Sequence, residues 1–302
     1  MRLYSSYLYL FLAFGAVVAS AALAQDFDKV TIEDTDLGGG IHMLTGQGGN
    51  LGLSVGTDGV FLIDDQYAPL SEKIAAAIKK LTPEPVQFII NTHWHGDHTG
   101  GNENFGKAGA IIVAHDNVRV RMSNEQFNKA FDRKTPPSPA GALPVVTFAE
   151  GVTFHWNGEE MSVFHVQNAH TDGDAVIHFK NANVVHTGDV FFNGRYPFID
   201  VDSGGSVKGV IAAADRILGM IDERTKVIPG HGPLGDKKAL QTYRDMLADV
   251  SGKVESMLAS GKTAEEIKAS KPGQAYDASW GTGWMKPDTF LDVVIRDLSR
   301  KK

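Results

Sequence analysis

One stretch decides the fold of this chain: Asn91-Thr92-His93-Trp94-His95-Gly96-Asp97-His98-Thr99-Gly100-Gly101-Asn102. It follows an apolar run, Val86–Ile90, that is typical of a buried strand. Residues two apart in an extended segment point to the same side. His93, His95 and Asp97 are therefore expected on one side of the strand end, and His98 on another.

The composition of this stretch predicts a metal site. Three imidazoles and one carboxylate lie within six residues, and imidazole nitrogen and carboxylate oxygen are ligands that suit zinc. Gly96 allows the backbone to bend between them, which divides the ligands between two directions. We therefore expect two neighbouring metal ions rather than a set of unrelated surface histidines.

The overall composition limits the class of protein. The chain has 302 residues, a formal net charge of −7 and no cysteine. An acidic chain without basic tracts is a poor binder of a phosphate backbone, so no nucleic-acid partner is expected. Without cysteine there is no disulfide framework and no thiolate ligand or nucleophile, so His, Asp or Glu must hold any metal.

Residues 1–24 have the features of a secretory signal peptide. Arg2 supplies a positive start, residues 8–19 form a continuous apolar run, and Ala22-Leu23-Ala24 is a cleavage site. We expect cleavage after Ala24, export to the periplasm or the medium, and no stable membrane association afterwards. The alternative is an uncleaved anchor, although the run is near the lower limit for spanning a bilayer.

Residues 25–302 are predicted to form a single α/β domain with a helical C-terminal segment, because strand and helix patterns interleave. Strands are expected within 30–65, 86–90, 111–114, 152–166, 175–179, 184–186 and 226–229. Helices are expected at 69–81, 102–107, 117–123, 204–220, 237–260, 263–270 and 287–298. The Pro- and Ala-rich residues 131–144 predict a loop, either an active-site lid or a plain surface connection.

Three later residues share one context. His170, Asp189 and His231 each follow an apolar strand pattern, in a loop that contains Gly, Thr or Asp. Strand ends are where α/β proteins gather their sites. Each residue alone would fit a structural hydrogen-bonding role, but together with the 93–98 cluster they predict further metal ligands.

The His-x-His-x-Asp-His segment, followed in order by these three residues, resembles the metallo-β-lactamase superfamily over essentially the whole chain after the leader. The resemblance implies a four-layer αβ/βα sandwich, two sheets face to face with helices outside. It also implies the ligands of two metals: His93, His95 and His170 for one, Asp97, His98 and His231 for the other, and Asp189 as the bridging carboxylate.

The resemblance implies a zinc-dependent hydrolase in which a metal-bound hydroxide attacks a carbonyl, with iron or manganese as alternative metals. Asp97 and Asp189 are the implied catalytic carboxylates. The leading expectation is β-lactamase-like activity on a β-lactam amide, which export and the His/Asp ligand set favour. The alternative is a lactonase or glyoxalase II-like thioesterase, to which an acid at position 189 is similar. A mono-iron oxygenase of the persulfide type and a binding protein without turnover are more distant alternatives.

The segment after Asp189 supplies candidate contacts for a small-molecule substrate. Arg195 could pair with a substrate carboxylate, or with Asp200 or Asp202 instead. In the same segment, Tyr196 or Phe198 could cover an apolar ring.

Other side chains lie beside the expected ligands. Trp94 either shapes the pocket floor or packs in the core. Four residues are candidates for orienting ligands: Thr92, Asn168, Thr171 and His186. The other histidines are expected to be structural or solvated: His42, His115, His155, His165 and His178. The sequence does not predict an oligomeric state.

Overall fold

The computed structural model of the chain describes residues 26–300. The expected signal peptide at 1–24 lies outside these residues. None of the helices in the described part is long and apolar enough to cross a membrane.

Most of the strands belong to two large sheets. In chain order the strands are β1 (Glu33–Gly38), β2 (Ile41–Thr45), β3 (Leu51–Gly56), β4 (Gly59–Ile63), β5 (Val86–Ile90), β6 (Ile111–His115), β7 (Gln126–Asn128), β8 (Arg133–Thr135), β9 (Val146–Phe148), β10 (Gly151–Trp156), β11 (Glu159–His165), β12 (Ala175–Phe179), β13 (Val184–His186), β14 (Lys226–Ile228) and β15 (Gly235–Asp236).

The first sheet has the order β1-β2-β3-β4-β5-β6-β9, and the second has the order β10-β11-β12-β13-β14-β15. Strands β1 to β4 form the expected antiparallel meander, and β4, β5, β6 and β9 run parallel. In the second sheet only β13 and β14 are parallel neighbours. Because β4 and β5 are parallel, their C-terminal ends lie at the same edge of the first sheet. Asp64, which follows β4, and the 91–102 stretch, which follows β5, are therefore both at this edge.

The longer helices lie on the outer faces of the two sheets. The helices are α1 (Ser71–Leu81), α2 (Gly96–Thr99), α3 (Asn102–Lys107), α4 (Asp116–Met122), α5 (Val207–Leu218), α6 (Lys237–Ala259), α7 (Ala264–Ala269), α8 (Gln274–Trp280) and α9 (Pro287–Leu298). Short 3₁₀ turns occupy Phe27–Lys29, Ala68–Leu70, Ala140–Ala142, Gly188–Val190 and Val201–Ser203.

The core is divided into layers, which confirms the predicted αβ/βα sandwich. Residues of both sheets, such as Phe61 and Ile177, fill the space between the sheets, and the rings of Phe61 and Phe154 meet there at 4.8 Å. Helix α1 packs on the outer face of the first sheet, and α5, α6 and α9 pack on that of the second. Each fully buried apolar side chain contributes roughly 1.5–3 kcal/mol to this arrangement.

The longer predicted elements are confirmed, with shifts at their ends. The hairpin turns at Asn157-Gly158, where both residues have positive φ. Helix α5 begins only after Ser206, whose side chain accepts a hydrogen bond from the backbone N–H of Gly209. The expected loop 131–144 is partly ordered, because Arg133–Thr135 pairs with β7 in a small hairpin. Helix α8 is absent from the sequence-based prediction.

Candidate metal centre

The seven expected ligands converge at one edge of the sandwich. They come from the loops after β5, β13 and β14 and from the loop before β12. Two sets of ligand atoms result, each within 4.8 Å. We call group one His93, His95, His170 and Asp189, and group two Asp97, His98 and His231.

In group one, three imidazole nitrogens lie close together. Nδ1 of His95 lies 3.1 Å from Nε2 of His93 and 2.9 Å from Nε2 of His170. The far nitrogen of each ring faces an oxygen: His95 donates to Oδ2 of Asp200 at 2.9 Å and His170 to the Phe198 carbonyl at 2.8 Å. A ring that donates a proton on one side presents a lone pair on the other, so these rings are oriented for a cation.

Group two lies beside it. Nε2 of His231 is 3.4 Å from Nε2 of His98 and 3.3 Å from Oδ2 of Asp97. Strand alternation predicts Asp97 on the side of His93 and His95, and this prediction is wrong. Helix α2 begins at Gly96, so the alternation stops there and the Asp97 carboxylate turns toward His98.

Asp189 joins the two groups. Its Oδ2 faces group one, 3.5 Å from Nε2 of His170 and 3.8 Å from Nε2 of His93. Its Oδ1 faces group two, 3.2 Å from Nε2 of His98 and 3.4 Å from Nε2 of His231. This Oδ1 is buried and accepts no hydrogen bond within the described part of the chain. A buried carboxylate oxygen without a hydrogen bond fits a position that ligates a cation.

Two further carboxylates, not anticipated as site residues, hold the ligand rings. Oδ2 of buried Asp64 accepts from Nδ1 of His98 at 2.7 Å and from the Thr92 hydroxyl at 2.8 Å. The Thr92 hydroxyl in turn lies 3.1 Å from Nδ1 of His93. Asp64 therefore orients one ring in each group, whereas Asp200 orients only His95.

The protonation of group one favours cation binding. Burial lowers the pKa of His93 well below its ordinary value, and the nearby His98 lowers it further. Burial also lowers the pKa of His170 to about 4, although Asp189 opposes this shift. Both rings are neutral at pH 7 and need to lose no proton when a cation binds.

In group two, nearby carboxylates affect the pKa values of the histidines more strongly than burial does. Burial by itself would lower the pKa of His231, but Asp189 and Asp97 outweigh it and raise this pKa to about 9. The same carboxylates raise the pKa of His98 against the effect of burial. Burial acts to raise the pKa of Asp97, yet His98 and His231 lower it overall. Before a cation binds, the group therefore holds protons that the cation must displace.

Glycine is required where the backbone passes close to the ligands. A Cβ atom at Gly230 would lie 2.0 Å from Oδ1 of Asp189, and one at Gly49 would lie 2.2 Å from Cε1 of His98. Any larger residue at either position would displace a ligand.

The three expected substrate contacts lie in different surroundings. Tyr196 is fully buried, stacks on Phe290 at 4.3 Å, and donates its hydroxyl to Asp277 at 2.8 Å. Its side chain is thus enclosed in the core, and we do not retain it as a substrate contact. Trp94 packs with Val118 and its neighbours on α4, behind the ligand loop, with its ring 4.7 Å from that of His95.

Arg195 is half-buried and forms no ion pair among the residues that the structure describes. The two carboxylates considered for it are used elsewhere, because Asp200 binds His95 and Asp202 binds Arg296. Arg195 therefore stays available to an anionic group.

The remaining candidates mostly shape the loops. Thr171 bonds to buried Asp174 through its backbone N–H and its hydroxyl, which fixes the turn that carries His170. His186 accepts from the N–H of Gly188 and donates to the Asn50 carbonyl, next to Asp189. Asn168 is exposed; its side chain donates to the Gly204 carbonyl and its backbone carbonyl accepts from the Ser206 hydroxyl.

The other histidines are not ligands of either group. His42 pairs with Asp34, and His115 stacks on His165 at 3.9 Å. His155 is exposed and His178 half-buried, both on strands of the second sheet.

Comparisons with known proteins agree with this geometry. The family model for the metallo-beta-lactamase superfamily matches residues 44–268. The chain is 26% identical to the acyl-coenzyme A thioesterase MBLAC2 of Gallus gallus over 163 residues, which are 49% of this chain and 57% of that protein. It is 25% identical to the hydroxyacylglutathione hydrolase of Pelagibacter ubique (strain HTCC1062) over 190 residues, 56% of this chain and 67% of that protein.

Solved structures show the same fold. A metallo-beta-lactamase from Pontibacter korlensis superposes with a TM-score of 0.59 at 21% identity, covering 72% of this chain and 100% of that one. The chain spans little more than half the length of the thioesterases that it matches.

Proposed function

Because the chain belongs to the metallo-beta-lactamase superfamily, we propose that its two ligand groups hold a pair of metal ions, zinc first, and that it hydrolyses a small acyl compound. Thioesters and esters are the favoured substrates. The observation that carries this proposal is Asp189, whose two carboxylate oxygens face one ligand group each.

The donor set fits zinc. Imidazole nitrogens and carboxylate oxygens bind zinc, and the ring nitrogens that face the centre are fixed by acceptors on their far sides. When bound there, the metal pair would lower the pKa of water and polarise a substrate carbonyl.

The chain itself supplies the proton chemistry. Asp189 is buried, whereas the Asp97 side chain is 24% exposed and reaches the open side of the centre. We assign to Asp97 the transfer of a proton to the leaving group, because an ionised carboxylate there can both accept and release it. Burial of His93, His98 and His170 keeps bulk water from the inner side of the centre.

The choice between substrates rests on two observations. An acid at position 189 is similar to the thioester and lactone branches, and two matched relatives are named acyl-coenzyme A thioesterase and hydroxyacylglutathione hydrolase. β-Lactam hydrolysis is the second candidate, favoured by the all-His/Asp ligand set. In either case Arg195, a cation without an ion pair in the described structure, would bind a substrate carboxylate.

The decisive experiment is a hydrolysis screen of zinc-loaded protein against an acyl-CoA thioester, a lactone and a chromogenic β-lactam. We expect thioester turnover that a chelator abolishes and that D189N lowers by at least about 100-fold. D34N, which removes a carboxylate from a histidine remote from the centre, is the matched control. No turnover of any of the three substrates by fully loaded protein would refute the proposal.

Metal analysis separates the remaining alternatives. Protein purified without added metal should contain two zinc ions per chain, whereas a mono-iron oxygenase would contain one iron. Tight binding of a substrate without turnover would instead identify a binding protein.

We further propose that the protein is exported, since residues 1–24 have the signal-peptide pattern. Expression of the full chain in a bacterial host should yield mature protein that begins at Gln25 in the periplasm. Retention of Met1 in the cytoplasmic fraction would contradict export.

A further inference from the structure

Three aromatic side chains from distant parts of the chain stand together beside group one. The ring centroids of Phe131 and Phe198 are 5.1 Å apart, those of Phe131 and Trp284 are 5.8 Å apart, and those of Phe198 and Trp284 are 6.1 Å apart. Phe131 lies between β7 and β8, Phe198 follows Asp189, and Trp284 precedes α9. We call these three residues the aromatic mouth.

The aromatic mouth connects solvent with the ligands. Phe131 is 42% exposed and Trp284 54% exposed, whereas Phe198 is only 8% exposed. The Phe198 ring lies 5.9 Å from the ring of His95 and 5.8 Å from that of His170. Contacts between aromatic rings therefore link the solvent-exposed Phe131 and Trp284, through Phe198, to two imidazoles of group one.

Polar contacts fix the tip of the hairpin that carries Phe131. The Asn128 side chain donates to Oδ1 of Asp200 at 3.3 Å and accepts from the N–H of Phe131 at 3.2 Å. The N–H of Lys129 donates to Asp202 at 2.8 Å. The tip of the hairpin is thus tethered to Asp200, the carboxylate that orients His95. The bond from its N–H fixes the backbone of Phe131, and its ring packs against Phe198 and Trp284.

An exposed group of large aromatic side chains calls for a partner, since apolar area in water is unfavourable. We propose that the aromatic mouth binds an apolar acyl chain or ring on the carbonyl side of the substrate. This inference rests on the proposed function for the position of the carbonyl, which must reach group one while its apolar substituent lies along Phe198. Straight-chain acyl groups of increasing length would therefore bind with increasing affinity.

Binding of alkyl hydroxamates tests this without turnover. The hydroxamate group chelates the metal, and its tail replaces the acyl chain. Calorimetry on zinc-loaded protein would compare acetohydroxamate with octanohydroxamate, which differ by six methylenes. A fully buried methylene is worth about fourfold in Kd, so a half-exposed surface should give a ratio of about 100 in wild type.

Two variants and one control complete the test. W284A and F131A should each lower the Kd ratio by about tenfold, because each removes about half of the exposed apolar surface. Phe127, on the same hairpin and 43% exposed, lies outside the aromatic mouth, so F127A should leave the ratio unchanged. An unchanged Kd for acetohydroxamate confirms that the variants keep the metal centre.

The outcomes are distinct. A wild-type ratio near one, or a ratio that W284A and F131A leave unaltered, overturns the inference whatever the protein hydrolyses. A clear length dependence in a protein that hydrolyses no thioester, lactone or β-lactam supports the aromatic mouth and removes the proposed function.

Discussion

Replacement of Asp64 by asparagine would test how the metal centre is oriented. Asp64 is fully buried, and its two oxygens have different partners. Oδ1 accepts from the backbone N–H of Thr92 at 2.7 Å, and Oδ2 accepts from Nδ1 of His98 and from the Thr92 hydroxyl. D64N keeps the shape of the side chain but turns one acceptor into an NH₂ donor.

Neither orientation of the new amide satisfies these partners. If the NH₂ takes the position of Oδ2, it faces the Nδ1–H of His98, and that ring must move its proton to Nε2, the atom that faces group two. If it takes the position of Oδ1, it faces the N–H of Thr92. A buried donor left unpaired in this way costs about 1–3 kcal/mol of stability.

We expect the first orientation to weaken metal binding at group two by about 10–100-fold, which corresponds to about 1.4–2.7 kcal/mol. The measurement is zinc content per chain after dialysis against buffered free zinc, together with chelator competition for each Kd. D34N is again the control, since Asp34 is exposed and pairs at 2.9 Å with His42, which belongs to neither ligand group. Wild-type zinc affinity in D64N, with unchanged thermal stability, would refute this account of Asp64.

Three more outcomes follow from the same geometry. Because the pKa values of both His98 and His231 are raised, that of His231 to about 9, the metal affinity of group two should rise by at least about tenfold per pH unit up to about pH 9. The metal affinity of group one, where the pKa values of His93 and His170 are lowered, should depend less on pH over the same range; equal slopes in calorimetry would contradict this. G230A should weaken zinc binding at least about tenfold by displacing Asp189. G252A, where a Cβ meets nothing within 4 Å on α6, should keep zinc and gain up to about 1 kcal/mol. Chelation should lower the unfolding temperature by about 5 °C relative to protein at 100 times the zinc Kd, as measured by calorimetry and reversed by zinc; an unchanged unfolding temperature would exclude a folded-state metal.

The ligand set is predictable from sequence because each ligand follows an apolar strand. The order of the strands then brings these loops to one edge, as for His98 and His231, which are 133 residues apart. The residues that orient the rings are harder to predict. Asp64 lies 34 residues from His98 and Asp200 lies 105 residues from His95, so their contacts depend on which strands are neighbours. An acid directly after β4, the parallel neighbour of β5, was the available signal.

Other features depend on packing alone. The pattern around Tyr196 is equally consistent with a core residue and with a pocket wall, and only its contacts with Phe290 and Asp277 decide for the core. Phe131 and Trp284 are 153 positions apart in the printed sequence, and no local pattern predicts that they meet. The grouping of Asp97 required knowledge that a helical turn begins at Gly96.

The metal ligands are shared between the two halves of the sandwich. Asp97 and His98 follow a strand of the first sheet, whereas His231 follows a strand of the second, and the Asn50 side chain spans the same gap by donating to the carbonyls of Pro229 and Gly232. A cation held there would connect one half to the other. Loss of that cation and loosening of the interior would then be coupled, and a cavity made far away, at Phe61 for example, would weaken metal binding.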